Sequence, residues 1–280
     1  MGERREAAIE RIGEKREAAT EKIVERRDAA VERMEGAREV AVETVATAKA
    51  AAAETVATAK AAAAEQIAKV KPRLRGVSHE YAFFVSLFLG VTLIVIAKGG
   101  EARLAVGIYA ASVSALFGVS ALYHVHDWKD LSRRRWMRRL DHTMIFFLIA
   151  GTVTPFALLL MSGPFATALL IAVWGGALAG TTIELLWTSS PKWVSAIVYL
   201  VVGLIGAIGF PAIAIEGGWV AGLLIAAGGL LYMGGAVVYA TEKPNPNPAV
   251  FGYHEIFHVM VIAAAAAHFA AVAFFALPAA

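Results

Sequence analysis

From Glu80 onward the sequence divides into seven apolar stretches of about 19–24 residues, approximately 80–98, 103–124, 142–161, 164–187, 193–214, 218–240 and 254–277. As a helix, a stretch of that length crosses a hydrocarbon core of roughly 30 Å. In lipid, a helix is the one single-segment structure that satisfies all of its own backbone hydrogen bonds. The sequence therefore predicts an all-α integral membrane bundle of seven transmembrane helices. Composition agrees, with 58% hydrophobic residues and a mean hydropathy of +0.61, too apolar for an ordinary soluble protein. The breaks KGGEA, MSGP, TSSPK, EGG and TEKPNPNP are short, and HDWKDLSRRRWMRRL is the one long break.

Charge divides the chain a second time. Residues 1–75 hold 16 of the 26 Lys/Arg and 14 of the 23 Asp/Glu. This reads as a charged arm, residues 1–71, joined to an apolar body, residues 72–280. The net charge of +3 is too small to argue for nucleic acid as a partner. With no cysteine, disulfides and thiolate ligands are excluded. The N-terminus has no apolar stretch of the kind found in a cleaved signal peptide. Lys/Arg counts near the span ends set orientation. KVKPRLR precedes the first span, and Lys129, Arg133, Arg134, Arg135, Arg138 and Arg139 lie between the second and third. Lys192 and Lys243 add to that side, and only Lys98 and Arg103 oppose them. The expectation is a multi-pass plasma-membrane protein with the arm cytoplasmic and the C-terminus outside. The arginine cluster reads as a topology signal and an anionic-lipid contact.

The arm is a repeat. From Arg5 to Val70 it forms six units of eleven residues, beginning REAAIERIGEK and ending KAAAAEQIAKV. The fourth position is always Ala (Ala8, Ala19, Ala30, Ala41, Ala52, Ala63). The eighth is always apolar (Ile12, Ile23, Met34, Val45, Val56, Ile67). An eleven-residue period is 3.67 residues per turn, close to a straight helix or a slight right-handed supercoil. The composition favours helix, and no Pro occurs before Pro72. The stripe is narrow, lacks aromatics and is flanked by acidic residues. That points to a homo-oligomer through residues 5–70 more than to a helix lying on a membrane surface, and a solvated arm with no specific partner stays open beside them.

Chemistry-bearing residues gather at one depth. The second span ends in SALYH, the third begins LDHTMIFF and the seventh begins YHEIFH, all on the cytoplasmic side. Ser120, His124, Asp141, His254 and His258 therefore share one membrane face, where ionisable groups are costly and read as functional. His254 and His258 are four apart and project from one helix face, able to bind one ion. Adding His124 makes three histidine ligands with room for water, a catalytic zinc arrangement in which the water's pKa falls. Asp141 is the carboxylate placed to hold that water and move protons. His79, His126 and His142 read as interfacial or supporting residues, His268 as a packed intramembrane histidine, and Glu184 as a further candidate for the site.

RGVSHEYAFF, SALYH, LDHTMIFFLIAGTVTPF and YHEIFH together resemble the hemolysin III family of the progestin and adiponectin receptor superfamily, related more distantly to alkaline ceramidases. The resemblance covers about residues 72–280. Its motifs are S-x-x-x-H, an Asp seventeen residues after that His, and H-x-x-x-H in the last span. The resemblance implies zinc held by His124, His254 and His258, Asp141 beside the zinc-bound water, and Ser120 supporting the water or a polar group of the substrate. Some members of the superfamily hydrolyse lipid amides, so a membrane lipid is the implied substrate. H-E-x-x-H is also the motif of zinc proteases, in which the Glu (here Glu255) is the base. The later ligand motif typical of intramembrane proteases is missing after residue 258, and the middles of the spans carry too few polar residues for a pore. Two functional classes stay open: a zinc-dependent lipid amide hydrolase, and a receptor or sensor in which zinc ties helices together.

Overall fold

The computed structural model describes residues 2–68, 71–187 and 192–279. The chain divides into two compact units, residues 1–69 and 70–280. The first is one helix, α1 (Gly2–Ala68), of 67 residues, roughly 100 Å long at 1.5 Å per residue. The described side chains of residues 20–62 are exposed, Met34, Val45 and Val56 by about two thirds. Thr44, Thr47, Thr55 and Thr58 return their hydroxyls to carbonyls four residues back at 2.7–2.9 Å. The helix thus meets its own threonine hydrogen-bonding needs and leaves its aliphatic stripe uncovered. The stripe positions Ala8, Ala19, Ala63, Ile12, Ile23 and Ile67 lie outside the residues whose side chains are described.

The second unit contains α2 (Val77–Ile96), α3 (Gly100–Val125), α4 (Leu131–Leu159), α5 (Gly163–Leu186), α6 (Lys192–Ala207), α7 (Phe210–Glu216), α8 (Trp219–Thr241) and α9 (Tyr253–Ala271). Among the described residues, seven segments are long and apolar enough to cross a membrane, with α6 and α7 together supplying one of them. Among the described residues there is no β-strand. Helices adjacent in sequence pack as neighbours from α2 to α6 and from α7 to α9, and α9 returns to touch α2.

Small residues set how closely the helices approach. With lipid outside, no hydrophobic gain comes from burying Leu or Phe, so helices associate where small residues let backbones approach. On α3, Ala102, Ala105, Ala110 and Ala121 are buried, and Gly90 of α2 packs so closely that a Cβ there would stand 2.7 Å from Ala110 Cβ. The large side chains of α2 (Tyr81, Phe84, Phe88, Val95) are exposed and meet lipid. Between α4 and α5, Gly180 lies against the ring of fully buried Phe146, and a Cβ would come within 2.5 Å of Phe146 Cε1. Overpacking against a rigid ring costs about 1–3 kcal/mol. Gly180→Ala is therefore expected to lower the thermal midpoint in detergent by several degrees. Gly175→Ala on the same helix, with nothing within 4 Å, should leave it unchanged.

Three boundaries differ from expectation. The break HDWKDLSRRRWMRRL is mostly helix: α4 starts at Leu131, capped by Asp130, whose Oδ1 accepts from Ser132 N at 2.7 Å. The arginines thus ride on the first turns of α4. The expected fifth span, 193–214, is broken at Ile208–Gly209, where i→i+3 turns close at 3.2 and 3.1 Å. Pro211 follows and has no N–H for a helical bond. The last span leaves α-helical winding at Val272, passes through a π-turn to Ala276 and ends in a 3₁₀ turn at Leu277–Ala279.

Candidate metal centre

Three helices supply the centre because short connections bring their ends to one level. Only residues 126–130 separate α3 from α4, so His124 in the last turn of α3 and Asp141 in α4 meet. α9 begins at Tyr253, placing His254 and His258 in its first two turns. The imidazoles pack as a cluster, with ring centroids 4.8 Å (His124–His254), 5.0 Å (His124–His258) and 4.6 Å (His254–His258) apart. One ring nitrogen of each lies within 4.8 Å of the others, in a group able to hold a metal ion. His124 Nε2 and His254 Nε2 are 3.2 Å apart. Two nitrogens bound to one tetrahedral zinc stand about 3.3 Å apart.

Burial makes the cluster costly without an ion. His258 is 1% exposed and its Nδ1 has no protein partner, and His124 is 8% exposed. Three neutral imidazoles cannot satisfy one another, whereas a cation among them satisfies all three. Imidazole nitrogens suit zinc, copper, iron and nickel, so the residues present fit a transition-metal ion. Asp141 Oδ2 lies 3.6 Å from His124 Nε2, and buried Ser120, 3% exposed, has its side chain beside the Asp141 carboxylate. All five residues singled out in the sequence therefore stand together.

The remaining candidates fall elsewhere. His79 is buried and stacks on His258, ring centroids 3.8 Å apart and 10° from parallel. His142 Nδ1 pairs with Glu184 Oε1 at 2.9 Å, and Glu184 Oε2 accepts from Ser195 Oγ at 2.8 Å. Glu184 thus ties α4, α5 and α6 together, and His124, His254 and His258 converge without it. His126 is exposed and packs on Trp128. His268 is buried ten residues beyond His258, about 15 Å deeper, with Nε2 3.2 Å from the Ile225 carbonyl.

Glu255 completes the H-E-x-x-H string without reaching the cluster. It is 1% exposed, and both carboxylate oxygens are in use. Oε2 accepts from Gly252 N at 2.7 Å, capping α9, and Oε1 pairs with Arg75 Nε. A protease base would have to face the metal-bound water. The cap was legible in principle, because Glu three residues after a helix boundary is the capping-box pattern. Arg75 carries no comparable local signal, since its partner lies 180 residues away.

Residues 67–269 match the family model described as Haemolysin-III related. The chain is 30% identical over 206 residues to Hemolysin-3 of Bacillus cereus, covering 72% of this chain and 90% of that relative. It is 30% identical over 168 residues to the Hemolysin-3 homolog of Bacillus subtilis (strain 168), covering 60% of this chain and 75% of the relative. The Monocyte to macrophage differentiation factor of Homo sapiens is also 30% identical over 168 residues, covering 59% of this chain and 67% of that protein. The family model and these relatives, matched over most of the seven-helix bundle and its histidine cluster able to hold a metal ion, place this chain in the hemolysin III family of the progestin and adiponectin receptor superfamily.

Proposed function

We propose that the chain is a zinc-dependent membrane hydrolase acting on lipid amides of the ceramide type, in a cell membrane with its N-terminus cytoplasmic and its C-terminus outside. The observation that carries this reading is a buried three-histidine donor set with a carboxylate beside it, Asp141 Oδ2 at 3.6 Å from His124 Nε2. When bound, zinc supplies Lewis acidity for a carbonyl and a water of lowered pKa. The protein supplies the rest. Asp141 accepts a proton at Oδ2 and delivers it to the leaving amine. Ser120, beside that carboxylate, helps to orient it. His79 holds the His258 ring in place by stacking. The acyl chain reaches the centre between helices from the bilayer. Release of fatty acid from a ceramide by the purified chain in detergent, with His258→Ala as the inactive comparison, tests the reading. Equal background release from both proteins would contradict it.

One observation favours a second reading. Asp141 Oδ2 and His124 Nε2 are separated by about the distance between two ligands of one ion. If Asp141 is itself the fourth ligand, the site is closed and structural, and the protein is a receptor or sensor.

The arm forms the other part of the proposal. With Met34, Val45 and Val56 exposed on one stripe, we infer that α1 associates with copies of itself. A full-length Met34→Glu/Val45→Glu/Val56→Glu variant should then sediment in detergent as a smaller species than wild type. An unchanged sedimentation coefficient would contradict self-association through the arm.

A further inference from the structure

The ligand histidines sit on helices that are not each other's main packing partners. α3 packs chiefly on α2 and α4, and α9 on α8 and α2. What joins their histidine-bearing ends is a strap, residues 71–76, that runs into α2. Lys71 Nζ donates to the carbonyl of Val125, the residue after His124, at 3.1 Å. The N–H groups of Arg73 and Leu74 donate to the carbonyls of Ala249 and Val250 at 3.0 and 3.1 Å, in the loop that leads into α9. Arg75 pairs through Nε with Glu255, the residue after His254. Gly76, at φ 83°, closes the strap against α3, and a Cβ there would stand 2.5 Å from His124 Cβ. Only glycine fits both that backbone and that space.

We propose that Arg75 and Glu255 are positioning residues of the metal centre, their ion pair and the strap together setting the separation of His124 from His254 and His258. The proposal rests on the metal-site reading given above. Glu255 touches no candidate ligand atom. It acts through α9, whose first turn it caps by accepting from Gly252 N while Arg75 holds its other oxygen. The Glu255 side chain is 2% exposed and that of Arg75 is 20% exposed, so the carboxylate depends on its partner for compensation. Losing the pair lets the start of α9 and the strap shift, and a shift of a fraction of an ångström in ligand spacing is felt as metal affinity. The Glu of the H-E-x-x-H string is thus retained as part of a frame, in a string where a base would otherwise be sought.

The test uses the full chain in detergent. Zn²⁺ affinity is measured by competition with a chromophoric chelator, and ligand geometry by the visible absorption of the Co²⁺ form. Outer groups that orient metal ligands are worth about 10–100-fold in affinity. Arg75→Gln and Glu255→Gln should each weaken Zn²⁺ by that factor and shift the Co²⁺ bands. Glu255→Gln keeps an oxygen for Gly252 N, so it isolates the ion pair from the cap. Arg75→Lys keeps the charge and should recover most of the loss. If Arg75→Gln does not fold, the neutral pair Arg75→Met/Glu255→Gln removes both charges, and the same affinity loss is expected of it. Wild-type affinity and an unshifted Co²⁺ spectrum in Glu255→Gln, with only the melting temperature of the metal-free protein lowered, would mean a merely structural pair and overturn the proposal. Absence of Zn²⁺ and Co²⁺ binding in the wild type would instead remove the metal-site reading itself, and this proposal with it.

Discussion

Asp141→Asn is expected to cut amide hydrolysis by about 10²–10⁴-fold, the usual range for losing a positioned acid–base group, while zinc content stays at the wild-type level. Asn keeps the size and can still accept a hydrogen bond from Ser120, whose side chain lies beside Asp141. What it loses is the ability to take up a proton and release it to the leaving amine. The same variant separates the two functional readings. An open, catalytic site keeps its metal when Asp141 becomes Asn, because the three histidines still hold it. A closed site that uses Asp141 Oδ2 as fourth ligand, 3.6 Å from His124 Nε2, loses affinity together with any activity. Measuring turnover and metal content on one preparation decides between them.

His258→Ala should have the largest effect on the metal. His258 is the most buried of the three candidate ligands, 1% exposed, with its ring in contact with those of His79, His124 and His254. Two histidines cannot hold a transition-metal ion against detergent washing and a chelator as three can. Metal content is expected to fall below about a tenth of an atom per chain, with hydrolysis lost in parallel. Alanine is a strong helix former, so α9 should persist, and circular dichroism and gel filtration check that it does. His268→Ala is the comparison. His268 is also a buried histidine of α9, but it is bonded to the Ile225 carbonyl and lies outside the cluster, so its variant should keep a full metal complement.

Much of this architecture was legible because a bilayer leaves few choices. Seven apolar stretches had to be helices, and the i,i+4 spacing of His254 and His258 had to present both rings on one face. Depth counting along the spans brings His124 and Asp141 alongside them. Less was legible where a local signal competed with the apolar pattern. Asp130 caps a helix inside a charged stretch, so α4 begins eleven residues before its apolar part. Gly209 and Pro211 interrupt a stretch whose hydropathy runs on unbroken. Glu255 resembled a base because its neighbours are the right ones for a protease. Its true partners, Arg75 and the N–H of Gly252, are chosen by the folded position of the strap and by the start of α9. The pairing of His142 with Glu184 joins helices through residues 42 apart in sequence, a relation that no spacing rule supplies.

Metal analysis by inductively coupled plasma mass spectrometry, on detergent-purified wild-type protein beside His254→Ala, bears most directly on the central claim. The account predicts about one zinc per wild-type chain and almost none in the variant, as expected for a three-histidine site that loses a ligand. A folded wild-type protein carrying no zinc, or a variant that keeps the wild-type amount, would contradict it.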